Sequence, residues 1–186
     1  MTRIILFNKP CGVISQFSPS DPYQTLKDFI PITNVYPAGR LDTDSEGLMI
    51  LTDNGQIQSK ITEPKHNKFK TYLVQVEGLA EESQIEQLRN GIKIDDYFTK
   101  SANVEIVADP DLWERVPSIR FRKNKPTSWL SISISEGKNR QVRRMTAAVG
   151  LPTLRLVRIS IGGIQLEDLA LGEYKEISQQ EFMAKF

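Results

Sequence analysis

Ten residues concentrate the charge chemistry of this chain: Gly39-Arg40-Leu41-Asp42-Thr43-Asp44-Ser45-Glu46-Gly47-Leu48, followed at once by the apolar run Met49-Ile50-Leu51. An arginine and three carboxylates in a turn-like segment that hands over to a buried strand is how many catalytic loops are mounted on a rigid scaffold. Three chemistries suit such a segment. Asp42, Asp44 and Glu46 serve as turn and capping residues, the usual work of Asp beside Gly and Ser. Alternatively, two of them form the acid and nucleophile of a glycosidase. In the third, one ionised Asp, kept charged by a neighbouring Arg, is the nucleophile or electrostatic stabiliser at a sugar carbon. Residue types alone leave all three open.

A second concentration lies between Gly137 and Ser160, where Lys138, Arg140, Arg143, Arg144, Arg155 and Arg158 occur without a single acid. The i, i+3, i+4 spacing of Arg140, Arg143 and Arg144 puts them on one side of a helix, opposite Val142 and Met145. Solvated helix faces usually interleave both signs, so an acid-free stretch points to phosphate contact. Two further basic groups, Lys65-His66 with Lys68 and Lys70, and Arg120 with Arg122, Lys123 and Lys125, point the same way. Acids collect at Glu81-Glu82 and at Asp109, Asp111 and Glu114. The near balance of 24 Lys+Arg against 23 Asp+Glu therefore conceals a polarised surface, and any electrostatic argument for nucleic acid is local.

Cys11 is the only cysteine and His66 the only histidine. That excludes an intramolecular disulfide and a CxxC metal site, and fits a reducing cytosol. A Cys11/His66 nucleophile pair is conceivable, but a lone Cys between Pro10 and Gly12 is more often a small packed residue. No metal and no small-molecule cofactor is expected. The amino terminus has too short an apolar run for a signal peptide, and no 18-residue apolar segment occurs. A cytoplasmic location without a membrane partner is the expectation.

The elements that must position these residues follow from periodicity. Strands are expected at 3–8, resuming at 13–15, and at 48–52, 69–77, 102–108, 129–135 and 154–161. The strand at 129–135 alternates most cleanly, with Leu130, Ile132 and Ile134 on one face and serines on the other. Helices are expected at 25–29, capped by Thr25, and at 56–62, 81–90 and 138–149. Gly91 and Gly150 lie in place to end the last two. Residues 109–126 show no clear period. Strands outnumber helices, which makes the chain α+β, and 186 residues suit one domain, whole or split into two lobes.

The ten-residue stretch resembles the signature of the pseudouridine synthases of the small-ribosomal-subunit synthase A type. Asn8-Lys9-Pro10-Cys11-Gly12-Val13 resembles the first motif of that family, and Lys70-Thr71-Tyr72 its tyrosine motif. Its basic motif is matched by Glu136-Gly137-Lys138-Asn139-Arg140-Gln141-Val142-Arg143-Arg144-Met145, and its closing segment by Leu154-Arg155-Leu156-Val157-Arg158. The matches run in order from Asn8 to about residue 163. Asn139-Arg140 stands where many relatives carry an aromatic or Asn followed by His, a variant shared with a branch that modifies 23S ribosomal RNA.

The resemblance implies a mostly antiparallel mixed sheet with flanking helices, in two lobes around a central catalytic cleft. It implies isomerisation of a specific uridine of large-subunit 23S ribosomal RNA to pseudouridine, without cofactor and by a monomer. Asp42 is then the essential carboxylate, whether it adds to C1′ or promotes loss of a 2′ proton. Arg143 pairs with it and keeps it ionised, Tyr72 stacks on the uracil, and Leu156 packs against the base. Arg40, Lys70, Lys138, Arg140, Arg144 and Arg158 become candidates for phosphate contact, with Asp44 and Glu46 as scaffold. Most relatives begin with a small basic domain of the ribosomal protein S4 kind. The first motif here starts at Asn8, so a single catalytic domain over 1–186 without that module is expected. The basic face alone also suits a catalytically silent RNA-binding or ribosome-assembly protein on the same fold.

Overall fold

The computed structural model describes residues 2–120 and 122–186. In chain order its strands are β1 (Ile4–Lys9), β2 (Tyr36–Pro37), β3 (Glu46–Thr52), β4 (Lys70–Glu77), β5 (Lys93–Ile94), β6 (Tyr97–Phe98), β7 (Asn103–Val107), β8 (Thr127–Ile134), β9 (Thr153–Ile161), β10 (Ile164–Gln165) and β11 (Tyr174–Ile177). Its helices are α1 (Gly55–Thr62), α2 (Glu82–Asn90), α3 (Gln141–Ala148) and α4 (Gln179–Lys185). Nine strands form one sheet in the order β11-β1-β3-β9-β4-β8-β7, with β2 on β3 and β10 on β9, and β5-β6 is a separate hairpin. The fold is α+β with a mixed, mostly antiparallel sheet, as expected. No helix among the described residues is long and apolar enough to cross a membrane.

β1 and β3 pair from Ile4↔Thr52 to Lys9↔Gly47, and every residue of both is buried. Such continuous burial means that both faces of this part of the sheet are covered, so these strands read as apolar runs rather than alternations. The two-residue period divides them between two cores. Ile5, Phe7, Met49 and Leu51 join Ile85 and Leu88 of α2 and Val142 and Met145 of α3. Ile4, Leu6, Leu48 and Ile50 join Ile57 and Ile61 of α1 and Phe182 of α4.

The other half of the sheet is built on β4, which pairs with β8 from Lys70↔Ile134 to Glu77↔Thr127. The halves meet at a single parallel contact of two residue pairs, Glu46↔Val157 and Gly47↔Arg158. Gly47 has φ +101°, and a Cβ there would lie 2.3 Å from the Arg158 carbonyl oxygen. Only glycine allows so close an approach. This short seam joins the two halves of the sheet and leaves the loop before β3 free to face β4 and β9.

Several expectations are corrected. Residues 13–15 do not resume the first strand; Ile14 makes one isolated bridge to Thr25, and Ser15 is used to hold residue 41 instead. The helix expected at 138–149 begins only at Gln141, because Arg140 takes a left-handed conformation at φ 49°. The helix expected at 25–29 is a single 3₁₀ turn, Leu26–Asp28. Residues 109–126 form no strand or helix among those described. The hairpin β5-β6 and everything after Gly163 were not anticipated, including β11, which pairs with β1 at the sheet edge.

Candidate active site

The loop that carries Asp42 is fastened at each step before it enters β3. Ser15 Oγ donates to Leu41 O at 2.6 Å, and Gly12 N–H donates to Thr43 O at 2.7 Å. Ser45 N–H closes a turn onto Asp42 O at 3.0 Å, and Arg143 Nη2 donates to Asp44 O at 3.1 Å and Ser45 Oγ at 3.2 Å. A carboxylate on a loop so fixed is pre-positioned rather than sampled.

Lys9 of the first motif is fully buried beneath this loop, and its Nζ donates to Pro10 O (2.9 Å), Val13 O (2.7 Å) and Thr43 O (3.3 Å). Three donors thus meet three carbonyls. Burial pushes the ammonium down from 10.5 to about 8, against the pull of nearby Cys11, Glu46, Asp44 and Asp42. In the unfolded chain Lys9 stays charged up to its ordinary value, so below pH 8 folding carries the cost of a buried charge. That cost is relieved as pH rises from 8 towards 10.5. Urea unfolding should therefore show a contribution on the order of 3 kcal/mol appearing across that window in the wild type. It should be missing in Lys9→Met, and parallel pH profiles for the two proteins would contradict this.

The arginines of the acid-free stretch find their acids elsewhere in the chain. Arg140 makes two hydrogen bonds to Asp44, both 3.1 Å, and its Nη1 also lies 3.3 Å from Asp42 Oδ2. Arg143 pairs with Asp44 at 3.5 Å, not with Asp42 as expected. The cation beside Asp42 is Arg140, which the left-handed turn before α3 swings over the loop. Asp44 thereby becomes more than generic scaffold. Burial works to raise its carboxyl, but the Arg140 hydrogen bonds and the Arg143 charge outweigh it and hold the group below the usual carboxylate range.

Arg144 is committed to Asp95 of the unanticipated hairpin and to Asn139 O at 2.7 Å. Arg155, which extends the basic stretch, is buried and bidentate on Glu46, at 2.9 and 3.0 Å. The single positive helix face expected from spacing is therefore broken up by acids from two other segments, Asp44 of the loop before β3 and Asp95 of the hairpin, while Glu46 takes Arg155 of β9. Glu46 is 1% exposed and also accepts from Trp113 Nε1 at 2.8 Å, which pins the irregular stretch 109–126 to the seam.

Between the Asp42 loop, β4, β9 and the segment before α3 lies a cavity of about 330 Å³. Asp42, Tyr72, Leu156, Lys70 and Arg158 line it, and Arg40, Lys138 and Arg140 stand in its wall towards the Asp42 loop and α3. Its size suits one nucleoside. Tyr72 and Leu156 are 7% and 5% exposed and offer flat and branched apolar surface to whatever enters. Lys138 Nζ sits 3.3 Å from the centroid of Tyr97. Arg143 reaches the Asp42 loop without lining the cavity, and Arg144 stands away from it. Gln141 orders the approach, its Oε1 accepting from Lys138 N–H at 3.1 Å and its Nε2 donating to Glu136 at 2.7 Å. Periodicity marks none of Lys9, Ser15 and Gln141: Ser15 and Lys9 reach Leu41 O and Thr43 O, 26 and 34 residues away, and Gln141 binds within the non-helical turn before its own helix. Cys11 and His66 share no hydrogen bond among the described residues, and no cluster of three or more His, Cys, Asp or Glu there is placed to hold a metal ion.

A family model described as RNA pseudouridylate synthase matches residues 3–148. A ribosomal large subunit pseudouridine synthase E from Vibrio vulnificus is 58% identical over 176 residues, 95% of this chain and 75% of the relative. The ribosomal small subunit pseudouridine synthase A of Escherichia coli is 37% identical over 186 residues, with 96% and 72% covered. A crystal structure of a pseudouridylate synthase matches with TM-score 0.83 at 33% identity, over 100% of this chain and 74% of that one. A chain of an archaeal box H/ACA Nop10–Cbf5 complex shares the fold alone, with TM-score 0.59 at 14% identity.

Proposed function

The chain belongs to the RNA pseudouridylate synthase family, and from that premise we propose that it isomerises one uridine of large-subunit 23S ribosomal RNA, with Asp42 as the essential carboxylate. The reaction breaks the C1′–N1 bond, turns the base and rejoins it through C5. An enzyme for it must stabilise an electron-poor sugar carbon while retaining a detached uracil. The observation that carries the reading is one nucleoside-sized cavity lined by a loop-fixed Asp42, by Tyr72 and by Leu156.

Asp42 works at the sugar, either by adding to C1′ or by promoting loss of the 2′ proton. Tyr72 stacks on the uracil and Leu156 packs against it. Arg140 places its charge 3.3 Å from Asp42 Oδ2, with Arg143 fixing the loop behind it through Asp44. The target uridine leaves its stack to enter the cavity, and Arg40, Lys138 and Arg140 are placed to meet the phosphates that flank it. The large-subunit substrate is drawn from the relatives that are 50–58% identical and named ribosomal large subunit pseudouridine synthase E. With ribosomal RNA as the proposed substrate, a cytoplasmic location is part of the same proposal.

The test is incubation with unmodified ribosomal RNA followed by chemical mapping of pseudouridine. One new pseudouridine in 23S RNA is expected. RNA binding without any product would make the chain a silent binding protein on this fold.

A further inference from the structure

Four of the five arginines between Gly137 and Ser160 hold an acid: Arg140 and Arg143 at Asp44, Arg144 at Asp95 and Arg155 at Glu46. Arg158 is the exception among the described residues. It is 3% exposed, its Nε donates to Leu48 O at 2.8 Å, and its buried Nη2 has no partner. A buried guanidinium without an anion is costly. It lines the cavity two residues beyond Leu156 and directly across from Tyr72 in the β4–β9 pairing. Lys70 lines the same cavity and pairs with no acid among the described residues; burial lowers its ammonium, and the Arg158 charge lowers it further, so the two cations act on each other. Phosphodiester contact, the role expected for Arg158, suits exposed cations at a rim. A guanidinium this buried is reached only by a group that enters the cavity.

We propose that Arg158, with Lys70 beside it, forms an anion hole for the uracil while it is detached from the ribose. This rests on the isomerase reading above. When the C1′–N1 bond breaks, its electron pair leaves with N1, and the base becomes uracilate with charge over N1, O2 and O4. That is so whether C1′ is taken by Asp42 or C2′ loses a proton. The charge is discharged when C5 bonds C1′: on the first route the electron pair of the C1′–O bond returns to the Asp42 carboxylate, and on the second C2′ takes its proton back. C5 then releases its proton and N1 takes one up. A fixed guanidinium interacts weakly with the neutral bound uridine and strongly with the anion, which is the difference that lowers a barrier.

The test needs neither RNA nor turnover: titration of the protein at pH 8 with uracil and with 5-nitrouracil, whose nitro group leaves the ring ionised at that pH. The wild type should bind the nitro compound about ten- to a hundredfold more tightly. Arg158→Gln should lose the preference, Arg158→Lys keep part of it, and Lys70→Met show a smaller loss. No preference in the wild type, which needs no variant to fold, overturns the proposal. So does a preference that Arg158→Gln leaves unchanged. With RNA, single-turnover chemistry in Arg158→Gln should slow about a hundredfold while affinity stays within about threefold; weakened binding at an unchanged chemical rate returns Arg158 to phosphate contact. A protein that makes no pseudouridine yet shows the preference refutes the isomerase reading and not the hole.

Discussion

Asp42→Asn is expected to bind ribosomal RNA as the wild type does and to lose at least about 10⁴-fold in turnover. The loop around residue 42 is held by Ser15 at Leu41, by Lys9 and Gly12 at Thr43, and by Arg143 at Asp44 and Ser45. None of these contacts uses the Asp42 carboxylate. Arg140 keeps both hydrogen bonds to Asp44 when the ion at residue 42 is gone. The isosteric amide therefore stays in place and loses only charge and nucleophilicity. Single-turnover kinetics beside filter binding separate the two effects, and turnover within tenfold of wild type would remove Asp42 from its role.

Glu46→Gln is expected to cost about 3–5 kcal/mol of stability, a large share of the roughly 5–15 kcal/mol a domain of this kind possesses. The amide still accepts from Trp113 but leaves Arg155, 8% exposed, as a buried cation without its counter-ion. Arg115 Nε, 3.6 Å from the same carboxylate, is left in the same position. Because Glu46 stands opposite Val157 in the two-pair seam, the variant also loosens Asp42 relative to β9. Urea unfolding measures the loss, and a change below about 1 kcal/mol would show that the seam does not depend on this ion pair.

The strongly periodic parts of the fold were readable from local pattern. Alternation in 127–134 and 70–77, and the Asn54-capped helix α1, depend on neighbours in sequence, and they stand within a residue or two of expectation. What local pattern could not show was the pairing of charges across the chain. The acid-free run 137–160 reads as an open positive face because Asp44, Glu46 and Asp95 lie 49 residues or more from the arginines they pair with. The start of α3 was misplaced because Arg140 adopts φ > 0, a conformation that its residue type disfavours and that its double ion pair with Asp44 over-determines. That same turn brings Arg140, rather than Arg143, to Asp42. Lys9 enters the sequence reading only as a member of the first motif, and its burial under Thr43 is one of the contacts that anchor the loop. Trp113 lies in a stretch without period, which contacts remote in sequence hold in place: Trp113 Nε1 on Glu46, Arg155 on Trp113 O and Gly78 N–H on Pro126 O.

The account is tested most directly by mapping pseudouridine in 23S ribosomal RNA from three strains: one with the gene, one without it, and one with only the Asp42→Asn copy. One pseudouridine present in the first and absent from the other two is the predicted result. Identical maps in all three would contradict it.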